Sequence, residues 1–142
     1  MATIVARFER GPITGQVVET VLAGQLVEAR AAGKVGVAGA ASNKVLGVAL
    51  QNAAPPASES GTTSYGAPVT DISLPGEYVS IAKGWFKEVT YTSAAAYGDP
   101  LVATATGQVA PAGATPDART LVGRCWEPAG VAAGATGLTE IF

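Results

Sequence analysis

Chemistry in this chain would have to come from one thiol and a scatter of carboxylates. There is no histidine among the 142 residues, which removes the commonest general base at neutral pH, any Ser/His/Asp or Cys/His nucleophilic arrangement, and most zinc sites. The single cysteine, Cys125, sits between Arg124 and Trp126 in an apolar run. A neighbouring guanidinium lowers a thiol's pKa only where the sulfur meets solvent, so the expectation is a buried, inert thiol. Glycoside hydrolysis needs two carboxylates at a set separation, yet Asp71, Glu77, Glu88, Asp99, Asp117, Glu127 and Glu140 are spread singly, as turn and surface acids are. Asp99, between Gly98 and Pro100, has the composition of a turn. Neither a P-loop nor G-x-G-x-x-G occurs, since Gly33, Gly36 and Gly39 are wrongly spaced for the latter. No N-glycosylation sequon occurs either. The expectation is a protein that is not an enzyme and has no cofactor and no metal.

Charge and composition narrow the partners. A net charge of −2 with nine scattered Lys and Arg offers no basic stripe, so nucleic acid is not an expected partner. No run of about 18 strongly apolar residues exists, so a membrane span is not expected; Val35 to Leu50 comes nearest and is mostly Ala and Gly. In MATIVARFERG the apolar run of about four residues is too short for the core of a signal peptide, and export by that route is not expected. Only 14% of residues are charged, against roughly a quarter in a typical soluble domain. That deficit suggests surface hidden in an assembly, the alternative being an Ala/Gly-rich monomer. The length suits one domain that buries its own core.

The elements that would position any site come from a duplication. GQLVEARAAGKV, from Gly24, and GDPLVATATGQV, from Gly98, share a Gly followed by a polar residue, a Leu-Val step, and Gly-x-Val at Gly33 to Val35 and Gly107 to Val109. Ala-Gly-Ala follows in each, at Ala38 to Ala40 and Ala112 to Ala114, then VLGVA (Val45 to Ala49) or LVGRC (Leu121 to Cys125). Two related supersecondary units, about 24–49 and 98–125, are implied. Strand patterns occur at Val17 to Val21, Val45 to Leu50, Tyr78 to Ala82, Trp85 to Tyr91, Leu121 to Cys125 and Leu138 to Phe142. Lys83-Gly84 would form a tight turn between two of them. Six or more short strands with Gly/Pro turns predict a mainly β domain, a single small barrel or sandwich over residues 16–142.

Leu22 to Ala32 has helical propensity, but its partner in the duplication carries Pro100 and two threonines. The expectation is extended or turn-like chain in both. Ala53 to Pro68, dense in Pro, Ser, Thr and Gly, reads as a long surface loop. Residues 1–15 read as an extended N-terminal arm, in which Arg7, Phe8, Arg10 and Ile13 would suit docking on a partner, the alternative being a solvated tail. Trp85, Phe86, Trp126 and Phe142 are expected either in the core or at contacts between copies of the chain.

Glycine placement, the Leu-Val and Gly-x-Val steps, the apolar-Gly-apolar closures and the central GEYVSIAKG together resemble the small capsid decoration, or cement, proteins of tailed bacteriophages, over roughly Gly15 to Phe142. The resemblance implies a compact β-rich homotrimer at local three-fold positions of a capsid, bridging and stabilising subunits of the major capsid protein. It implies synthesis in the bacterial cytoplasm, residence on the virion exterior, an arm that faces the capsid, and no catalytic residues. Two other readings compete. A tail or fibre component would present Ala53 to Pro68 to a receptor. A lipoyl or biotin carrier would use Lys83, which lacks the flanking residues that modifying enzymes recognise.

Overall fold

The structure, a computed structural model, describes residues 12–55, 77–84 and 86–142. The first half contributes β1 (Ile13–Gln16), β2 (Leu26–Ala29), β3 (Val35–Val37), β4 (Val45–Ala49) and β5 (Tyr78–Ala82). The second contributes β6 (Phe86–Thr90), β7 (Pro100–Ala103), β8 (Val109–Pro111), β9 (Leu121–Cys125) and β10 (Thr136–Ile141). Each half makes one antiparallel sheet, in the orders β1-β5-β4-β2-β3 and β6-β10-β9-β7-β8. These orders are the same permutation, so the molecule is a sandwich of two copies of one curled sheet. The predicted β architecture is correct in its sandwich form. Neither sheet closes into a barrel: the residue just past one edge strand meets the other edge strand through a single parallel bridge, Val17 to Val35 in the first copy and Tyr91 to Val109 in the second.

The duplication runs through the whole fold and not only through 24–49 and 98–125. Matching hydrogen bonds fix the equivalences. Gly24 donates to Ala49 as Gly98 does to Cys125, and Val18 donates to Val35 as Thr92 does to Val109. The pair of antiparallel bridges Val21 to Ala53 and Ala95 to Val131 repeats as well. Gly24 and Gly98 share φ near +87° and +86°, and Gly33 and Gly107 share +70°, values at which a Cβ is strained. Each copy also has a register shift at one place, between Val27 and Glu28 and between Leu101 and Val102.

Two glycines set the spacing of the strands. A Cβ on Gly47 would overlap the carbonyl of Ala82, and one on its counterpart Gly123 would overlap the carbonyl of Glu140. The apolar-Gly-apolar closures therefore mark where two strands approach too closely for any side chain.

Three expectations are corrected. Lys83-Gly84 does not close a hairpin, because β5 and β6 lie in different sheets and this segment links the two copies. Val17 to Val21 is not a strand; its ends make isolated bridges instead. Ile13, assigned to the arm, begins β1 and pairs with Ile81. Leu22 to Ala32 is extended as expected: Leu26 and Val27 are fully buried on opposite faces of β2, and burying both outweighs helical propensity worth only tenths of a kcal/mol per residue.

Candidate assembly surface

No feature with the geometry of a reaction centre stands out among the described residues, and several of the polar groups there have local structural tasks. Cys125 is fully buried inside the second sheet. Arg30 gathers the carboxylates of Glu19 and Glu28 at 3.1 and 3.3 Å and donates to the carbonyl of Val37 at 2.8 Å. Burial alone would raise the pKa of Glu28, but hydrogen bonds from Ser42 and the Gly39 amide, with the charges of Arg30 and Lys44, hold it below the usual carboxylate value. Asp99 accepts from the amide of Ala96 at 2.8 Å, the turn its sequence suggested. Asp117 caps the following turn by accepting from the Arg119 amide at 3.0 Å. Among the described residues no three His, Cys, Asp or Glu side chains cluster closely enough to hold a metal ion. Lys83 borders a hollow of about 140 Å³ between the copies, which Arg119 and Phe142 also line.

Exposed apolar surface is the distinctive feature. Alternation along β9 and β10 turns Cys125, Thr139 and Ile141 inward and leaves Arg124, Trp126, Leu138 and Glu140 on the outer face. There the rings of Tyr97 and Trp126 pack at 5.5 Å with a tilt of 55°. Arg124 pairs with Glu140 at 2.9 Å and sits 5.9 Å from the centre of the Phe142 ring. Trp126 and Phe142 thus belong to one outward face, joined through Arg124. The equivalent of Trp126 in the first copy is Leu50, which is exposed, as is Leu22. Both copies present an apolar spot at the same end of the sheet.

The other predicted contact residues lie elsewhere. Ile13 is exposed on β1. Arg7, Phe8 and Arg10 fall outside the described residues, as do Trp85, the side chain of Phe86 and most of the loop from Ala53 to Pro68. Sequence reasoning missed Tyr97 and Arg124 as members of the outer face. The signal available for Arg124 was its place in LVGRC, where the first copy has Val48.

No protein-family profile and no curated protein matches the chain. Among solved structures, the chain is similar to the head fiber gp8.5 N base of bacteriophage phi29, with a TM-score of 0.61 over 92% of each chain at 17% sequence identity. At that identity the two share a fold.

Proposed function

We propose that this chain is a structural protein of a bacteriophage virion, bound to the outside of the capsid. The observation that carries this reading is the likeness to the phi29 head fiber base, which spans 92% of both chains. The low charge of the sequence and the exposure of Tyr97 and Phe142 on the outward face are consistent with it. The chain acts as a homotrimer at local three-fold positions, bridges subunits of the major capsid protein, and uses residues 1–11 to reach the shell. It is not an enzyme; it adds apolar contact area, at about 25 cal/mol per Å² buried, at sites that capsid symmetry repeats many times.

Cosedimentation with expanded, undecorated capsids of the source virus tests this. Saturable binding of three copies per local three-fold position is the expected result; failure to bind would sink the reading. The fibre-component reading keeps one supporting observation, since the neighbour is named as the base of a head fiber. It predicts that the domain binds the capsid and also carries a receptor-binding element.

A further inference from the structure

The two copies meet through unlike surfaces. The first gives the outer face of its sheet, where Leu26, Val48 and Ala82 are 0, 1 and 3% exposed. The second gives its β7–β8 turn and the end of β7 before it, where the Ala103 carbonyl accepts from the Ala41 amide at 2.8 Å. In the turn the Gly107 carbonyl accepts from the Leu26 amide at 2.7 Å and the Thr106 carbonyl from Gln25 Nε2 at 3.1 Å. A Cβ on Gly107 would press on Val37 at 2.8 Å.

Among the described residues neither surface is used a second time. The face equivalent to Leu26, Val48 and Ala82 carries Pro100, Arg124 and Glu140 in the second copy. Pro100 is exposed, and the side chains of Arg124 and Glu140 are 46 and 31% exposed. The turn equivalent to Gly107 is Ala31–Gly33, which is exposed, and no described residue lies within 4 Å of a Cβ placed on Gly33. A contact between unlike surfaces leaves one of each kind free at the two ends, and further copies can satisfy them in a ring or a filament.

We propose that the chain associates head to tail with itself, the Ala31–Gly33 turn of one molecule docking on the outer face of the second copy of the next. The occupant follows from continuity: the same face in the first copy is already covered by the same turn of this fold. The composition of the free face fits a contact that is solvated before assembly, because Arg, Trp, Tyr and Phe are enriched at such interfaces. Pro100 has no amide to donate where Leu26 donates to Gly107. The contact between chains is therefore one backbone hydrogen bond poorer than the contact within the chain, and the weaker of the two. The proposal rests on the homotrimer reading and specifies which faces meet.

The test is a full-length Ala32→Cys/Pro100→Cys variant treated with a short bis-maleimide, in solution and again on capsids. Ala32 already holds positive φ and is exposed, and Cys125 is buried, so the wild-type chain is the unreactive control. The expected result is a ladder of cross-linked species ending at three chains, absent from either single variant. A native trimer without that ladder would overturn the face assignment and leave the trimer reading standing. A monomer under both conditions would overturn both. As a second measurement, Arg124→Glu should shift the native mass to that of the monomer with an unchanged circular dichroism spectrum; an unchanged trimer mass would count against the proposal.

Discussion

The hydroxyl of Tyr91 and Oγ1 of Thr139 lie 2.6 Å apart, fully buried inside the second sheet, where the first sheet has Val17 and Ile81. The ring meets a smaller neighbour, Thr139 standing where the first copy has Ile81, while the space left by Gly137, where the first copy has Val79, is filled by Val131. A cross-strand pair is also exchanged: Gly15 faces Val79 in the first copy, and Val89 faces Gly137 in the second. The two interiors fill one shape with different side chains, as close packing requires.

Tyr91→Val should cost about 2–4 kcal/mol, because it opens a cavity and strips Thr139 of a partner. Transplanting the whole first-copy set, Tyr91→Val with Val89→Gly, Ala95→Val, Val131→Ala, Gly137→Val and Thr139→Ile, should recover most of that loss, Val131→Ala being needed because a Cβ on Gly137 would meet Val131. Urea unfolding of the single and combined variants measures the coupling. Purely additive losses would show that the interiors are not equivalent.

Alkaline stability should break at Tyr91. Burial, reinforced by Cys125 beside it, pushes the phenol from 10.0 up to about 12, although the hydrogen bond with Thr139 acts the other way. Between about 10 and about 12 the unfolded chain therefore holds fewer protons than the folded one, so stability falls as pH rises through that window and is unaffected by this group below it. Tyrosinate absorbance for Tyr91 should appear together with unfolding. Its appearance in a folded protein near pH 10 would contradict the burial.

Gly47→Ala and Gly123→Ala should each destabilise the fold by about 3 kcal/mol or more, since the clash is with backbone that cannot swing aside. Gly113→Ala, with nothing within 4 Å of the new Cβ, is the neutral control in thermal melts.

Deleting Met1 to Arg10 removes no described strand, because β1 begins at Ile13. The truncated protein should melt like the full chain and fail to cosediment with capsids. Binding at full affinity would remove the arm from the mechanism.

Much of this was legible in the sequence, with instructive failures. Gly-x-Val and the paired closures mark the duplication because they sit where positive φ and close strand contact leave few substitutes. Matching letters misplaced one step, however. Leu26-Val27 resembles Leu101-Val102, but the register equates Val27 with Leu101, facing Gly47 and Gly123 respectively. Pro100 therefore takes the place of Leu26. A shift of one residue exchanges the two faces of a strand, and that exchange hid the difference between the covered and uncovered outer faces. Tyr78 to Ala82 and Trp85 to Tyr91 were recognisable as strands by alternation, the second being β6 over Phe86–Thr90. Their partners were not, since a local pattern does not record which strand lies alongside.

The connection closing each sheet differs in length, running from Ala53 to Glu77 in the first copy (residues 54–76 between) and from Val131 to Ala135 in the second (residues 132–134 between), while the flanking backbone bonds are the same. One fold thus already accommodates both a minimal turn and a passenger of some twenty extra residues at the same address. Ala132 to Gly134 is by that token a grafting port, at which a foreign peptide of similar size can be carried without reworking the core.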